Sequence, residues 1–314
     1  MGALPAKSDR FLQPDQLLLF LTRPTVSKSP AMASAADPDE PSVRYTSWKK
    51  LESAIEATDG DVLIVTHVSP NDFDAIERRR DRNGHRFRFF YDGNTQILIV
   101  TIPTRVHEAL HHGLYNNVIR ATTEANWTSI GTSTIRSQFN HPHRGRGSKE
   151  ADSSGGPVPD RLRGDAWPTL VIEAGYSMSL NQLRHAMRWW FSASNHQVKV
   201  VVLAKFHSAR AEIILERWEE EEEQSPQGPI TRSQAAAMQQ HPDGSIIQPV
   251  LQQTITITRD ETTDPESYHV TGGALVLKFH LLFLRDPGPQ EGDIVIGIPA
   301  LQLFAFKVWA MVSE

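Results

Sequence analysis

Four charged residues of this 314-residue chain stand where a helix or strand is predicted to begin or end: Glu108, Asp152, Glu173 and Lys205. Three of them are carboxylates, whose hard oxygen atoms are the ligands that Mg²⁺ prefers. A metal ion held by carboxylates lowers the pKa of a bound water and neutralises charge on a phosphate. A nearby lysine can stabilise the transition state of phosphoryl chemistry. The pattern favours a phosphodiesterase that depends on Mg²⁺ or Mn²⁺, with these four residues in its catalytic site.

A second pattern predicts different metal chemistry. The run His107-Glu108-Ala109-Leu110-His111 matches HExxH, in which two histidines one helical turn apart bind zinc and the glutamate acts on the zinc-bound water. The motif falls on a predicted helix, but a third ligand is needed, and the downstream candidates are Glu124, His141 and His143. A zinc hydrolase is therefore an alternative function. The other interpretation is that these histidines are surface or partly buried polar residues.

The elements that must position the charged residues centre on residues 167–206. The apolar runs Leu170–Ile172 and Val200–Leu203 are typical of strands buried on both faces, and an amphipathic helix lies between them. Glu173 and Lys205 follow these two runs closely. If the two strands are parallel neighbours, both side chains reach the same edge of the sheet, which is where open α/β sheets bind ligands.

Apolar spacing and turn residues predict further elements before this segment. We predict a helix over 47–58, a strand over 59–68, a hairpin over 86–103 that turns at Asp92-Gly93-Asn94, and a helix from Thr104 to about Thr122 with Thr104 as its N-cap. Residues 135–165 combine Gly, Pro, Ser and charged residues with little periodicity, so we predict a loop there.

The C-terminal third is predicted to be rich in strands. We expect a strand over 211–218, a solvated strand exit or loop over Glu219–Glu223, an exposed edge strand over 249–260, and a last apolar helix over about 299–312.

A basic cluster precedes the predicted hairpin, and it comprises Arg78, Arg79, Arg80, Arg82, Arg86 and Arg88. We favour a solvated helix face followed by a turn at Asn83-Gly84 over a patch that contacts phosphates.

Composition sets limits on function and location. The net charge of -5 argues against a protein that coats DNA through overall charge. With no cysteine, the chain can form neither a disulfide nor a thiolate zinc site, so a metal must be bound by His and carboxylate ligands. The apolar run Leu17–Leu21 is too short to span a bilayer. We expect an intracellular protein, nuclear or cytoplasmic, that is neither secreted nor bound to a membrane.

Three segments of the chain resemble the PD-(D/E)XK nuclease superfamily and, within it, the Uma-type restriction-endonuclease-like family and its fungal relatives. Residues 91–112 resemble the strand, proline and first helix of that family, residues 149–154 its Pro-Asp-type segment, and residues 167–190 its VVEV-x-S strand and following helix. The resemblance covers roughly residues 86–206. It implies a restriction-endonuclease-like α/β fold, with a mixed central β-sheet flanked by helices, and Mg²⁺-dependent cleavage of a nucleic-acid backbone.

The resemblance also implies roles for individual residues. Glu108 would be the carboxylate of the first helix, Asp152 the metal-ligating aspartate and Glu173 the central acid of the motif, so all three would contact the metal. Asp160 and Asp165 compete with Asp152 for its role.

The chain departs from the motif two residues after Glu173, where Gly175 stands in place of the lysine. Lys205 could supply the missing ammonium group if the two strands are parallel. The competing interpretations are that Glu173 only ends a strand and pairs with a base such as Arg184, and that Lys205 is solvated.

These observations give one prediction for the organisation of the whole chain. We predict a flexible arm over residues 1–42 and a single α/β domain over 43–314, with a polar insertion at 224–245 and a β-rich C-terminal extension. The expected partner is nucleic acid, DNA rather than RNA, and a homodimer is one expectation for an enzyme that cuts both strands. The alternative is a nuclease fold that has lost catalysis and binds nucleic acid or protein.

Overall fold

The computed structural model describes residues 42–124, 147–161, 166–223, 246–263 and 265–312. The arm predicted for residues 1–42 lies outside this part, except that Ser42 begins the first strand. The insertion predicted for residues 224–245 also lies outside it.

Helices and strands alternate in the first two thirds of the chain. They are β1 (Ser42–Arg44), α1 (Trp48–Glu56), β2 (Val62–Thr66), α2 (Pro70–Asn83), β3 (Arg88–Asp92), β4 (Ile97–Thr101), α3 (Arg105–Glu124), β5 (Gly147–Lys149), β6 (Ser153–Gly155), β7 (Leu170–Gly175), α4 (Leu180–Ala193) and β8 (Val200–His207). The remainder contains more strand: β9 (Glu212–Glu223), β10 (Ile246–Asp260), β11 (Ser267–Thr271), β12 (Leu275–Leu277), α5 (Phe279–Phe283), β13 (Ile294–Ile296) and α6 (Ile298–Ala310). The predicted α/β class with a β-rich C-terminal part is confirmed.

Two larger sheets and one small one contain these strands. The first sheet has the order β1-β2-β4-β3-β5, the second has the order β11-β10-β9-β8-β7-β6, and β12 pairs with β13. Both larger sheets are mixed, because β1 runs parallel to β2 and β7 runs parallel to β8 while their other pairs are antiparallel. No helix in the described ranges is long and apolar enough to cross a membrane.

Apolar side chains stack the helices and sheets in layers. α1 and α2 cover one face of the first sheet through residues such as Trp48 and Phe73. α4 fills the space between the other face of that sheet and the second sheet, and its Trp190 is fully buried there. α3 and α6 cover the remaining face of the second sheet, through Leu110 and Phe304 among others. Each larger sheet is therefore covered on both faces.

Residues 147–155 carry the chain from the first sheet to the second. β5 pairs with β3 of the first sheet, and β6 pairs with β7 of the second. The prediction of a loop was wrong here, because two short strands form within Gly147–Gly155. These strands consist largely of Gly and Ser, which give no apolar periodicity, so their pairing depends on the sheets that they join.

Other predicted elements are present with small differences. The hairpin is formed by β3 and β4, and α3 begins as predicted, with the backbone N–H of His107 donating to Thr104 Oγ1 at 3.2 Å. The acidic run Glu219–Glu223 forms the end of β9 rather than a loop, which agrees with the strand-exit alternative, although Glu219 is buried and not solvated. β10 is not an edge strand. β10 pairs with β9 on one side and β11 on the other, a long-range arrangement that its alternating pattern does not specify.

Candidate functional site

Glu108 and Asp152 are brought together by a shared arginine. Glu108 lies in the first turn of α3, and Asp152 lies in the crossing between β5 and β6. The guanidinium of Arg88, at the start of β3, places Nη1 and Nη2 each 3.0 Å from Glu108 Oε1, and its Nη1 is 3.5 Å from Asp152 Oδ1. A single positive charge therefore bridges these two carboxylates.

Two buried histidines of α3 complete the cluster. His107 has Nδ1 3.5 Å from Glu108 Oε1 and Nε2 3.3 Å from Asp152 Oδ2. His111 has Nε2 3.1 Å from the same Oε1, while its Nδ1 is 2.9 Å from Ser153 Oγ. Ligand atoms of His107, Glu108 and His111 all lie within 4.8 Å of one another. This trio has the spacing of a metal-binding group.

The pKa shifts in this cluster follow from burial and neighbouring charge. Burial opposes the charge on His107, but the carboxylates of Asp152 and Glu108 outweigh it and raise the pKa of His107 to about 10. Burial lowers the pKa of His111 to about 4. Burial also opposes charge on Asp152, yet His107 and Arg88 hold the pKa of Asp152 well below its usual range. The cluster thus sets two carboxylates against two cations.

Glu173 lies beside Asp152 but contacts other partners. Ser153 pairs with Ile172, so Asp152 and Glu173 are one step beyond the last paired residues of β6 and β7. The carboxylate of Glu173 accepts a hydrogen bond from Trp190 Nε1 at 2.6 Å and is 2.9 Å from Lys149 Nζ. Burial raises the pKa of Glu173 to about 6, and Asp152 adds to this, although Lys149 acts in the opposite direction.

The lysine beside Glu173 is Lys149, which the sequence reasoning did not select. β7 and β8 are parallel and place Lys205 beside Gly175, but the ammonium group of Lys205 donates to the carbonyl of Tyr176 at 2.6 Å. Lys205 is also buried rather than solvated. The signal for Lys149 was its place at the start of the KEADSS segment, three residues before Asp152.

The remaining predicted residues lie elsewhere. Asp160 is exposed in the turn after β6. Asp165, His141 and His143 lie outside the described residues, as does the side chain of Glu124. The alternative that Glu173 pairs with a nearby basic residue agrees with its contact to Lys149, but the residue named as the example, Arg184, instead forms a salt bridge with Glu216 on β9.

Gly175 fills a position with little room for a side chain. A Cβ atom there would lie 3.0 Å from the carbonyl oxygen of Met178 and 3.2 Å from Leu183 Cδ1. Lysine at this position would have to displace the chain between β7 and α4. The turn at Gly175 therefore crowds the position of the motif lysine, which is also absent from the sequence.

We expect Gly175→Ala to lower the free energy of unfolding by about 1–3 kcal/mol, because the added methyl group overpacks this turn. Gly292→Ala is a matched control, since a Cβ atom at Gly292 meets nothing within 4 Å. Urea unfolding of both variants measures the difference. Equal stabilities of the two variants would show that the turn at Gly175 can relax.

No protein-family model and no curated protein matches this chain. The resemblance to PD-(D/E)XK nucleases therefore stays a prediction, and the geometry of the site carries the functional argument.

Proposed function

We propose that the chain is a metal-dependent hydrolase that cleaves phosphodiester bonds of nucleic acid at the cluster around Glu108 and Asp152. The observation that carries this proposal is that the two carboxylates bound to Arg88 differ in exposure: Glu108 is accessible to solvent and Asp152 is buried. The side chains of Glu108 and Arg88 are 31% and 18% exposed, while Asp152 behind them is 5% exposed. A substrate can therefore reach one carboxylate and the guanidinium, and the second carboxylate orients them from inside.

The accessible pair suits a phosphodiester substrate. The planar guanidinium of Arg88 presents several donors in a fork that matches phosphate oxygens. Glu108 is ionised across the physiological range, because, although burial opposes its charge, three neighbouring histidines and the charge of Arg88 hold its pKa well below the ordinary value. A carboxylate in this state can take up a metal ion or accept a proton from water.

The donor set also fits a divalent cation. The trio on α3 offers two imidazoles and a carboxylate, and Asp152 lies 3.3 Å behind His107. A bound cation would supply an activated water and would neutralise charge on the phosphate. Mg²⁺ held by Asp152, Glu173 and Glu108 would have to displace Arg88 from Asp152 and Lys149 from Glu173.

Exposed basic residues on the first sheet and its helices also fit nucleic acid as the substrate. Arg86 is exposed two residues before Arg88, and on α2 the exposed arginines are Arg78, Arg79 and Arg82. A cavity of about 520 Å³ at β1 and α1, on the other side of the first sheet from β3, is lined by Arg44, Lys49 and Lys50 together with Tyr45. Such local positive charge attracts a phosphate backbone even when the net charge is negative. The proposal includes DNA as the preferred substrate and an intracellular site of action.

The test is cleavage of labelled DNA and RNA by the full chain with Mg²⁺ or Mn²⁺. We expect Glu108→Gln and Arg88→Gln each to lower the rate at least tenfold, because each removes a charge that the substrate or metal contacts. Arg120→Gln, which changes an exposed arginine on the same helix, should keep the rate.

Cleavage that survives Glu108→Gln would remove this cluster from the mechanism. Binding of nucleic acid without cleavage by the unchanged chain would contradict the hydrolase proposal and support the non-catalytic alternative.

A further inference from the structure

We infer that α3 carries a binding site for a transition-metal ion of the zinc class, formed by His107 Nδ1, Glu108 Oε1 and His111 Nε2. The role of this ion in catalysis rests on the proposed function, whereas its binding does not. Imidazole nitrogens favour zinc and related ions over Mg²⁺. The inference therefore replaces the Mg²⁺ predicted from carboxylates alone with an ion that imidazoles can hold.

The orientation of the two rings is the first argument. Each ring turns one nitrogen towards the same Glu108 oxygen atom, at 3.5 Å from His107 and 3.1 Å from His111. The other nitrogen of each ring faces the crossing segment, where Asp152 Oδ2 is 3.3 Å from His107 Nε2 and Ser153 Oγ is 2.9 Å from His111 Nδ1. Metal-binding histidines are commonly held by such outer partners, carboxylates among them.

The buried state of His107 is the second argument. His107 is 0% exposed, and neither of its ring nitrogens forms a hydrogen bond of good geometry within the described chain. Buried polar atoms in proteins are rarely left in this condition. A metal ion in contact with Nδ1 would displace the proton from that atom, and the remaining N–H at Nε2 would face Asp152.

The position of Glu108 separates this site from an HExxH peptidase site. In that motif the two histidines bind zinc and the glutamate acts as the general base. Here Glu108 Oε1 lies 3.5 Å from His107 Nδ1 and 3.1 Å from His111 Nε2. An ion bound by the two imidazoles would therefore also contact Glu108 as a ligand. Because Glu108 is 31% exposed and both histidines are 0% exposed, the ion would be closed off on the protein side and open towards solvent. An open coordination position is typical of catalytic zinc sites.

Arg88 competes with the proposed ion. Its Nη2 is 3.0 Å from Glu108 Oε1 and 3.4 Å from His111 Nε2, so the guanidinium contacts two of the three proposed ligand atoms. A divalent ion must move this group aside. Removing the positive charge should therefore strengthen metal binding, an effect that a purely structural network of these side chains does not predict.

The test is a titration of the full chain with Zn²⁺ in competition with a chromophoric chelator, without nucleic acid. We expect one equivalent to bind, with affinity at least tenfold weaker in His111→Gln and at least threefold tighter in Arg88→Gln. His280→Gln is the matched control, because it removes an exposed imidazole of α5 that is not part of the trio, so the affinity should stay within twofold. Circular dichroism checks that each variant is folded.

Three outcomes would overturn the site: no stoichiometric Zn²⁺ binding, equal losses in His111→Gln and His280→Gln, or no gain in Arg88→Gln. The absorption of bound Co²⁺ gives a second measurement, because nitrogen ligation changes its visible spectrum in the unchanged protein. If Mg²⁺ supports cleavage and His111→Gln does not reduce it, the trio is not the catalytic metal site. The proposed function would still stand in that case. Zinc binding without any cleavage would confirm the site and refute the function.

Discussion

Glu150→Ala should lower the free energy of unfolding by about 3–5 kcal/mol, because Arg80, which is buried, loses the buried one of its two carboxylate partners. Arg80 Nη1 is 2.7 Å from Glu150 Oε2, and the two side chains are 1% and 2% exposed. The same carboxylate oxygen accepts a hydrogen bond from the backbone N–H of Phe89 at 3.3 Å. Urea unfolding followed by circular dichroism would measure the loss.

Asp81→Ala provides the comparison within the same arginine. Asp81 is 2.9 Å from Arg80 Nη2 but is 50% exposed, so its removal should cost at most about 1 kcal/mol. If the two variants lost equal stability, burial would not be the reason for the importance of Glu150. A larger loss in Asp81→Ala would contradict the prediction outright.

The central strands and helix could be predicted because their signals are local. The apolar runs that became β7 and β8 are buried on both faces, and the helix between them is α4. The parallel register also follows from sequence, since a helix between two buried strands returns the chain in the same direction. Parallel strands bring Lys205 to the edge of the sheet that follows Glu173, but its pairing with Gly175 and its contact with the carbonyl of Tyr176 depend on the register and on the turn.

Arg80 shows what local patterns cannot give. It stands among arginines that are exposed, and nothing in the surrounding sequence distinguishes it. Its burial depends on Glu150, which is 70 residues away in the chain, and on the ring of Phe89, 4.4 Å from the guanidinium carbon. A charged side chain is buried only where such partners meet it, and the sheets bring them together.

The candidate site was predicted only in part, because some of its residues have local signals and others depend on long-range pairing. Glu108 and Asp152 were selected from their places at element ends and from the resemblance, and the structure brings both to Arg88. Arg88 was counted only as one member of a basic cluster, and Lys149 lies in a segment without periodicity. Both become site residues because β3 and β5 pair and the chain then crosses to the second sheet.

Lys149→Met should also lower the free energy of unfolding by about 3–5 kcal/mol at neutral pH, because Glu173 loses its buried counter-charge. Lys149 Nζ is 2.9 Å from Glu173 Oε2, with 5% and 3% of the two side chains exposed. The aliphatic part of methionine can still pack on Phe90, whose ring centre lies 4.8 Å from Lys149 Nζ. The loss should therefore reflect charge rather than volume.

The dependence of this loss on pH separates charge from packing. The pKa of Glu173 is raised from 4.5 to about 6 in the folded chain, so protonation of Glu173 favours folding. That contribution is complete below about pH 4.5 and is lost as the pH rises through about 6. Without Lys149 the carboxyl should hold its proton more strongly, so Lys149→Met should cost less at about pH 5 than at about pH 8.

The double variant Lys149→Met/Glu173→Gln completes the argument. Replacing both partners removes the unpaired charge, while glutamine keeps an acceptor for Trp190 Nε1, which is 2.6 Å from Glu173 Oε1. We expect the double variant to regain most of the stability lost in Lys149→Met, with a coupling energy of about 2–3 kcal/mol between the two substitutions. The free energy that the double variant loses relative to the unchanged chain should no longer carry the pH dependence of Glu173. Additive losses that do not change with pH would mean that Lys149 contributes through packing, and the pair would then have no electrostatic role beside Asp152.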